Sequence, residues 1–135
     1  MRTLAIDYGD ARTGLAFSDL TGSICGEAFT VEEWNADALA GRIAAEIKAR
    51  EVGTIVLGLP RNMDGSEGPR AEKSREFAEK LRAATGITPV MWDERRSSVE
   101  AHAILHANGK REKKHKRTVD AVAASLLLES WLGSV

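Results

Sequence analysis

Three carboxylates stand where they could hold a metal ion: Asp7, Glu94 and Asp120. Asp7 closes a strand-forming run, Thr3 to Asp7, and Gly9 lies just beyond it. Open α/β sheets gather ligands beyond the carboxyl ends of their strands, and a glycine there lets phosphate or metal come close to the backbone. By itself an Asp-x-Gly is more often a plain turn, because aspartate hydrogen-bonds its own backbone. Asp93-Glu94-Arg95 ends another such run, where adjacent acid and base also suit a solvated strand end. Asp120 is predicted in the first turn of a helix whose Ala121, Ala123 and Ala124 are small enough to pack closely on a sheet. A carboxylate at a helix start also serves simply as a dipole partner. Taken together, the three could converge on Mg²⁺ or Mn²⁺, hard ions that take oxygen ligands with substrate phosphate and water. Two such ions about 4 Å apart can activate an attacking water and stabilise a leaving oxygen.

Only one of Asp93 and Glu94 can face Asp7, because successive strand residues point to opposite faces. In Thr88-Pro89-Val90-Met91-Trp92-Asp93-Glu94, alternation puts Val90, Trp92 and Glu94 on one face and Met91 and Asp93 on the other. Both faces are expected to carry helices, so apolar character does not choose between them. Reach does: glutamate has an extra methylene with which to lean back from beyond the sheet edge. The metal ligands are therefore assigned as Asp7, Glu94 and Asp120, with Asp93 in support, orienting Arg95 or capping the next turn.

Candidate contacts to a polyanion surround this set. Arg12 could neutralise Asp7 or hold a phosphate in bidentate fashion. Gly58-Leu59-Pro60-Arg61-Asn62-Met63-Asp64-Gly65-Ser66 follows an apolar strand and precedes a helix. It suits either an ordinary connection or a loop whose backbone N–H groups meet phosphate, with Arg61 and Asn62 beside it, and it lacks the lysine of a P-loop. The chain carries a net charge of −1, but residues 110–117 alone are +5, which leaves −6 for the rest. Lys110, Lys113, Lys114 and Lys116 in that stretch, with Arg95, read as a footprint for nucleic acid; the plainer reading of such a run is a solvated loop.

The elements that must position these groups follow from periodicity. Strands are expected at Thr3 to Asp7, Arg12 to Ser18, Ile24 to Val31, Thr54 to Pro60 and Thr88 to Asp93. Helices are expected at Asn35 to Arg50, at Pro69 to Thr85 and near the C-terminus, where Val119, Val122, Ala123, Leu126, Leu127 and Trp131 form a stripe. A short helix capped by Ser97 and Glu100 should precede the last one. Short glycine turns make the first three strands an antiparallel meander, and helix-linked later strands should be parallel. The fold class is thus α/β, a mixed five-stranded sheet with helices on both faces. Trp92 and Trp131 fall in patterned segments and read as core, while Trp34 sits at a loop-helix boundary where either role fits. His102, His106 and His115 form no zinc set, since Ala103 stands where a metalloprotease motif has glutamate.

The 135 residues suit one domain, 1–135. No apolar run approaches the roughly 20 residues needed to span a bilayer. The first residues lack the form of a signal peptide, so the cytoplasm is expected and a membrane partner is not. Cys25 is the only cysteine, which excludes an internal disulfide or a thiolate cluster.

In sum of motifs, the chain resembles the YqgF family, also called RuvX, over essentially its whole length. The matching pieces are Asp7-Tyr8-Gly9-x-x-Arg12-Thr13-Gly14-x-Ala16, then Gly58-Leu59-Pro60 with Gly65, then Phe77-Ala78-x-x-Leu81. They continue with Asp93-Glu94-Arg95, Ser97-Ser98 and Val119-Asp120-Ala121-x-Ala123-Ala124; Arg96 departs from the leucine usual after the acidic motif. The resemblance implies an RNase H-like fold related to the Holliday-junction resolvase RuvC. It also implies a metal-dependent nuclease that matures the 5′ end of precursor 16S ribosomal RNA. By position it carries the acidic set over to Asp7, the Asp93-Glu94 pair and Asp120. The alternatives are a resolvase acting on structured DNA as a homodimer rather than a monomer, and a nucleic-acid-binding module without catalysis. An actin-like or sugar-kinase ATPase also opens with Asp-x-Gly, but it needs a second lobe that 135 residues do not supply.

Overall fold

The computed structural model describes residues 1–94 and 112–134, the side chains of 112–119 excepted. Leu4, Ala5 and Ile6 are fully buried because their strand, β1 (Arg2–Asp7), is the centre of the sheet. It pairs antiparallel with β2 (Arg12–Ser18) and parallel with β4 (Val52–Leu59). β3 (Cys25–Glu32) and β5 (Val90–Asp93) form the edges, giving the order β3-β2-β1-β4-β5. The meander and the parallel half both match the expectation.

Alternation along β1, β2 and β4 divides the core in two. Leu4, Ile6, Leu15, Phe17, Ile55 and Leu57 point to α1 (Ala36–Ala49) and α2 (Pro69–Thr85), where Leu39, Ile43, Phe77 and Leu81 meet them. Ala5, Ala16 and Val56 point the other way, to Ala124, Leu127 and Leu128 of α3 (Glu112–Ser134). Asn35 caps α1 by accepting from the Ala38 N–H at 3.0 Å. Pro69 opens α2 and Gly86, with φ of 77°, closes it, as only a residue tolerant of the left-handed region does well.

α3 differs from its expectation in two ways. It begins at Glu112, so Asp120 lies in its third turn and not its first. A helix-start carboxylate needs no explanation beyond the dipole, but one this far inside gains little from it. Over its described side chains the buried stripe is Ala124, Leu127 and Leu128, with Trp131 and Leu132 partly covered, while Val122 and Leu126 stay half-exposed. The helix turns its small residue, Ala124, to the sheet because that side approaches the backbone of β2 most closely. Trp92 and Trp131 meet edge to face with centroids 5.3 Å apart, and the Trp92 indole N–H donates to Ser130 Oγ at 3.0 Å, as core rings would. The predicted helix at Ser97 and all three histidines except His115 fall outside the described residues. Among the described residues, no helix is long and apolar enough to cross a membrane.

Candidate active site

Asp7 is the last residue of the central strand and pairs in register with Gly14 of β2. It follows Ala5 onto the α3 face by alternation, whereas Tyr8 turns to the other face and stacks on Phe77 with centroids 4.2 Å apart. Gly14 opens the space Asp120 needs. A Cβ there would overlap the Asp120 carbonyl oxygen, lie 2.5 Å from its carbon and 3.2 Å from Ala124 Cβ. The absence of that one atom lets the third turn of α3 rest on β2 beside Asp7.

Gly58 does the same for Glu94. Gly58 sits opposite Trp92 in the parallel ladder, and a Cβ on it would strike Glu94 Oε1, with Cγ at 2.7 Å and Cδ at 2.9 Å. Glu94 therefore lies over β4 on the α3 face, the face of Trp92, while alternation gives Asp93 to the face of Met91. Sheet face, more than reach, separates the two acids.

The electrostatics concentrate at Asp120. Its Oδ2 is 3.5 Å from Arg12 Nε, an ion pair, yet both atoms are buried without a hydrogen bond. Burial, and after it the neighbouring Asp7 charge, push the Asp120 carboxyl up to about 6, against the opposing pull of Arg12. Two carboxylates that repel one another in a half-buried place, one with an orphaned oxygen, call for a cation. Among the described residues no three carboxylate, histidine or cysteine side chains gather into a set that holds a metal unaided. The donor chemistry nevertheless fits Mg²⁺, which commonly takes one or two carboxylates and completes its shell with water and substrate phosphate.

The other sequence candidates are distributed unevenly. Residues 60–68 form a self-pinned hairpin: Asn62 N–H donates to Ser66 O, Gly65 N–H to Asn62 O and Ser66 N–H to Asp64 Oδ1, each at 2.9 Å. Those three donors serve the turn, which suits the ordinary connection that the sequence equally allowed. Arg61 pairs with Glu67 at 3.7 Å, and the Asn62 side chain donates to Ser66 Oγ at 3.0 Å. Lys113, Lys114 and Lys116 fall on the first turns of α3, so that part of the basic run is helix and not loop. Arg95 and Lys110 lie outside the described residues. Sequence reasoning passed over Gly14 and the packing role of Gly58. A glycine inside a strand pattern is the signal that marks close approach of another element.

Because Glu94 is a flexible side chain, it can move aside where backbone cannot. Gly58→Ala is expected to leave thermal stability nearly unchanged and to lower catalysis by displacing Glu94. Melting curves beside cleavage rates check this, and a variant that melts early with normal activity per folded molecule contradicts it.

A family model described as RuvX, Holliday junction resolvase, matches residues 1–134. A protein of Myxococcus xanthus (strain DK1622), named "Putative pre-16S rRNA nuclease", is 42% identical over 133 residues, covering 98% of this chain and 87% of its own. One of the same name from Geobacillus kaustophilus (strain HTA426) is 40% identical over 136 residues, covering 99% of each chain. The solved structure of T. thermophilus RuvC in complex with Holliday junction substrate superposes with a TM-score of 0.63 at 12% identity. That alignment covers 100% of this chain and 98% of the other. The shared fold is RNase H-like.

Proposed function

The chain belongs to the RuvX family and is a nuclease, a hydrolase of phosphodiester bonds, and from that premise we propose that it trims the 5′ end of precursor 16S rRNA in the cytoplasm. The observation that carries the catalytic part is the Asp7–Asp120 pair, whose mutual repulsion and orphaned oxygen call for a cation. Asp7 and Asp120 would hold one or two Mg²⁺ or Mn²⁺ ions together with water and substrate phosphate, and Glu94, over Gly58 on the same face, would join them only by moving toward the ion. Bound there, the metal supplies charge neutralisation at the phosphate and a more acidic water.

The protein's own groups do the rest. Arg12 holds Asp120 by charge and can turn its guanidinium to a phosphate oxygen as substrate enters. Asp93, on the opposite face, is a positioning residue for the strand end. Lys113, Lys114 and Lys116, with Arg95 and Lys110, attract the polyanion by counterion release, and Arg61 and Asn62 stand at the flank of the strand ends. The relatives' name favours RNA as substrate. The family description favours a second reading, in which a homodimer cuts a four-way DNA junction.

One panel separates these readings: precursor 16S RNA, a four-way junction and single-stranded controls, each with Mg²⁺ or Mn²⁺, alongside a native mass. Cleavage of the precursor, by monomer or homodimer, is expected. Junction cleavage by a dimer, with the precursor untouched, replaces the first reading with the second. Within the panel Glu94→Gln is expected to cost far more activity than Asp93→Asn, both remaining folded. The reverse order transfers the ligand role to Asp93.

A further inference from the structure

The end of β1 that presents Asp7 to one face presents an aromatic groove to the other. Tyr8 and Phe77 form its floor as a stacked pair, and Trp34, 80% exposed just before α1, forms its rim. The cavity measures about 420 Å³, room for a nucleotide. Its polar lining is balanced, with Lys73 and Lys80 against Asp10 and Glu76. The cations are also engaged: Lys73 bonds Asp10 at 3.3 Å, where Arg70 bonds it at 2.8 Å, and Lys80 bonds Asp37 at 2.7 Å. Such a lining has little excess charge for a phosphate, but it offers donors and acceptors to the edge of a neutral, flat ring. An indole exposed this fully contributes little to the fold, and aromatic faces are what unpaired bases stack on.

We propose that this groove receives an unpaired nucleobase of the nucleic-acid strand, stacked on Trp34, next to the phosphate that would enter the Asp7–Asp120 metal site. The inference rests on the nuclease reading and names the class of substrate at that site: a strand that is single-stranded on the groove side. Asp7 and Tyr8 are consecutive residues turned to opposite faces, so a strand crossing the end of β1 meets the carboxylates with its backbone and the groove with a base. Arg70 ties the arrangement together by donating to the Tyr8 carbonyl at 3.0 Å as well as to Asp10.

The test is binding without cleavage, in buffer free of divalent metal, using a short single-stranded oligoadenylate and the same strand made abasic. Oligoadenylate is expected to quench tryptophan fluorescence in the native protein. In Trp34→Ala, where Trp92 and Trp131 remain, the quenching should vanish and affinity for oligoadenylate fall about ten-fold. Affinity for the abasic strand and the salt dependence should not change, and Trp34→Phe should retain most of the binding. Equal affinities of Trp34→Ala and native protein for oligoadenylate overturn the proposal, as does an equal loss for both strands. A protein that shows base-dependent quenching yet cleaves nothing in the substrate panel overturns the nuclease reading and leaves the groove standing.

Discussion

Asp7→Asn is expected to reduce phosphodiester cleavage by about 10³-fold or more, because a metal's stabilisation of transition-state charge amounts to several kcal/mol. The fold should persist, since the substitution is isosteric and falls at a strand end. A second readout separates this from general damage. Asp7 is the second cause, after burial, that lifts the Asp120 carboxyl to about 6, so its neutralisation should bring that titration down part of the way. Carbon NMR of the Asp120 carboxyl reads the shift directly. The sign for stability follows. A carboxyl that holds its proton more tightly folded than unfolded makes the metal-free protein less stable as pH rises from the ordinary carboxylate range through about 6. The protein regains that stability as pH falls back, and Asp7→Asn should flatten this dependence. Full activity in the variant, or an unmoved Asp120 titration, refutes the paired-carboxylate site.

Gly14→Ala should have the largest effect on the molecule itself. The added methyl meets backbone, the Asp120 carbonyl, and not a side chain that can swing away. Either α3 lifts from β2 or the strand distorts, and overpacking of this kind costs about 1–3 kcal/mol. Chemical denaturation should show that loss, and cleavage per folded molecule should fall as well because Asp120 rides on the displaced turn. The contrast with Gly58→Ala is informative. Two glycines serve one site, but one yields to a flexible glutamate and the other to a helix backbone. If Gly14→Ala is as stable as the native protein, the close approach of α3 is not what seats Asp120.

The strands and two of the helices were legible because their residues obey local rules. Leu4 and Ile6 alternate with Ala5, Pro69 and Gly86 bracket α2, and Asn35 offers a cap. Asp7, Glu94 and Asp120 could be named from the sequence, but the close approaches that seat Asp120 and Glu94 on one face of the sheet could not. The decisive atoms are missing ones, the side chains of Gly14 and Gly58, and absent atoms leave no periodic trace. The start of α3 was also hidden. Lys113, Lys114 and Lys116 are good helix formers, yet their charge reads as a solvated loop when no apolar stripe accompanies them. The hairpin at residues 60–68 was ambiguous in another way, because glycines and polar side chains that suit a phosphate also suit a turn that bonds to itself.

Among the described residues the two cores on either side of the sheet are unequal, and that inequality has a kinetic meaning. Among the described residues the α1–α2 side buries fourteen, many of them leucine, isoleucine and phenylalanine, while the α3 side buries six, three of them alanine. Proteins open in cooperative pieces whose cost follows the apolar surface each must expose. On the described residues, the piece expected to open most cheaply is the helix carrying Asp120. Inactivation by mild denaturant would then run ahead of global unfolding, with amides of α3 exchanging before those of β1. A cation held by Asp7 and Asp120 would fasten that piece shut, and the melting temperature should then rise with its concentration.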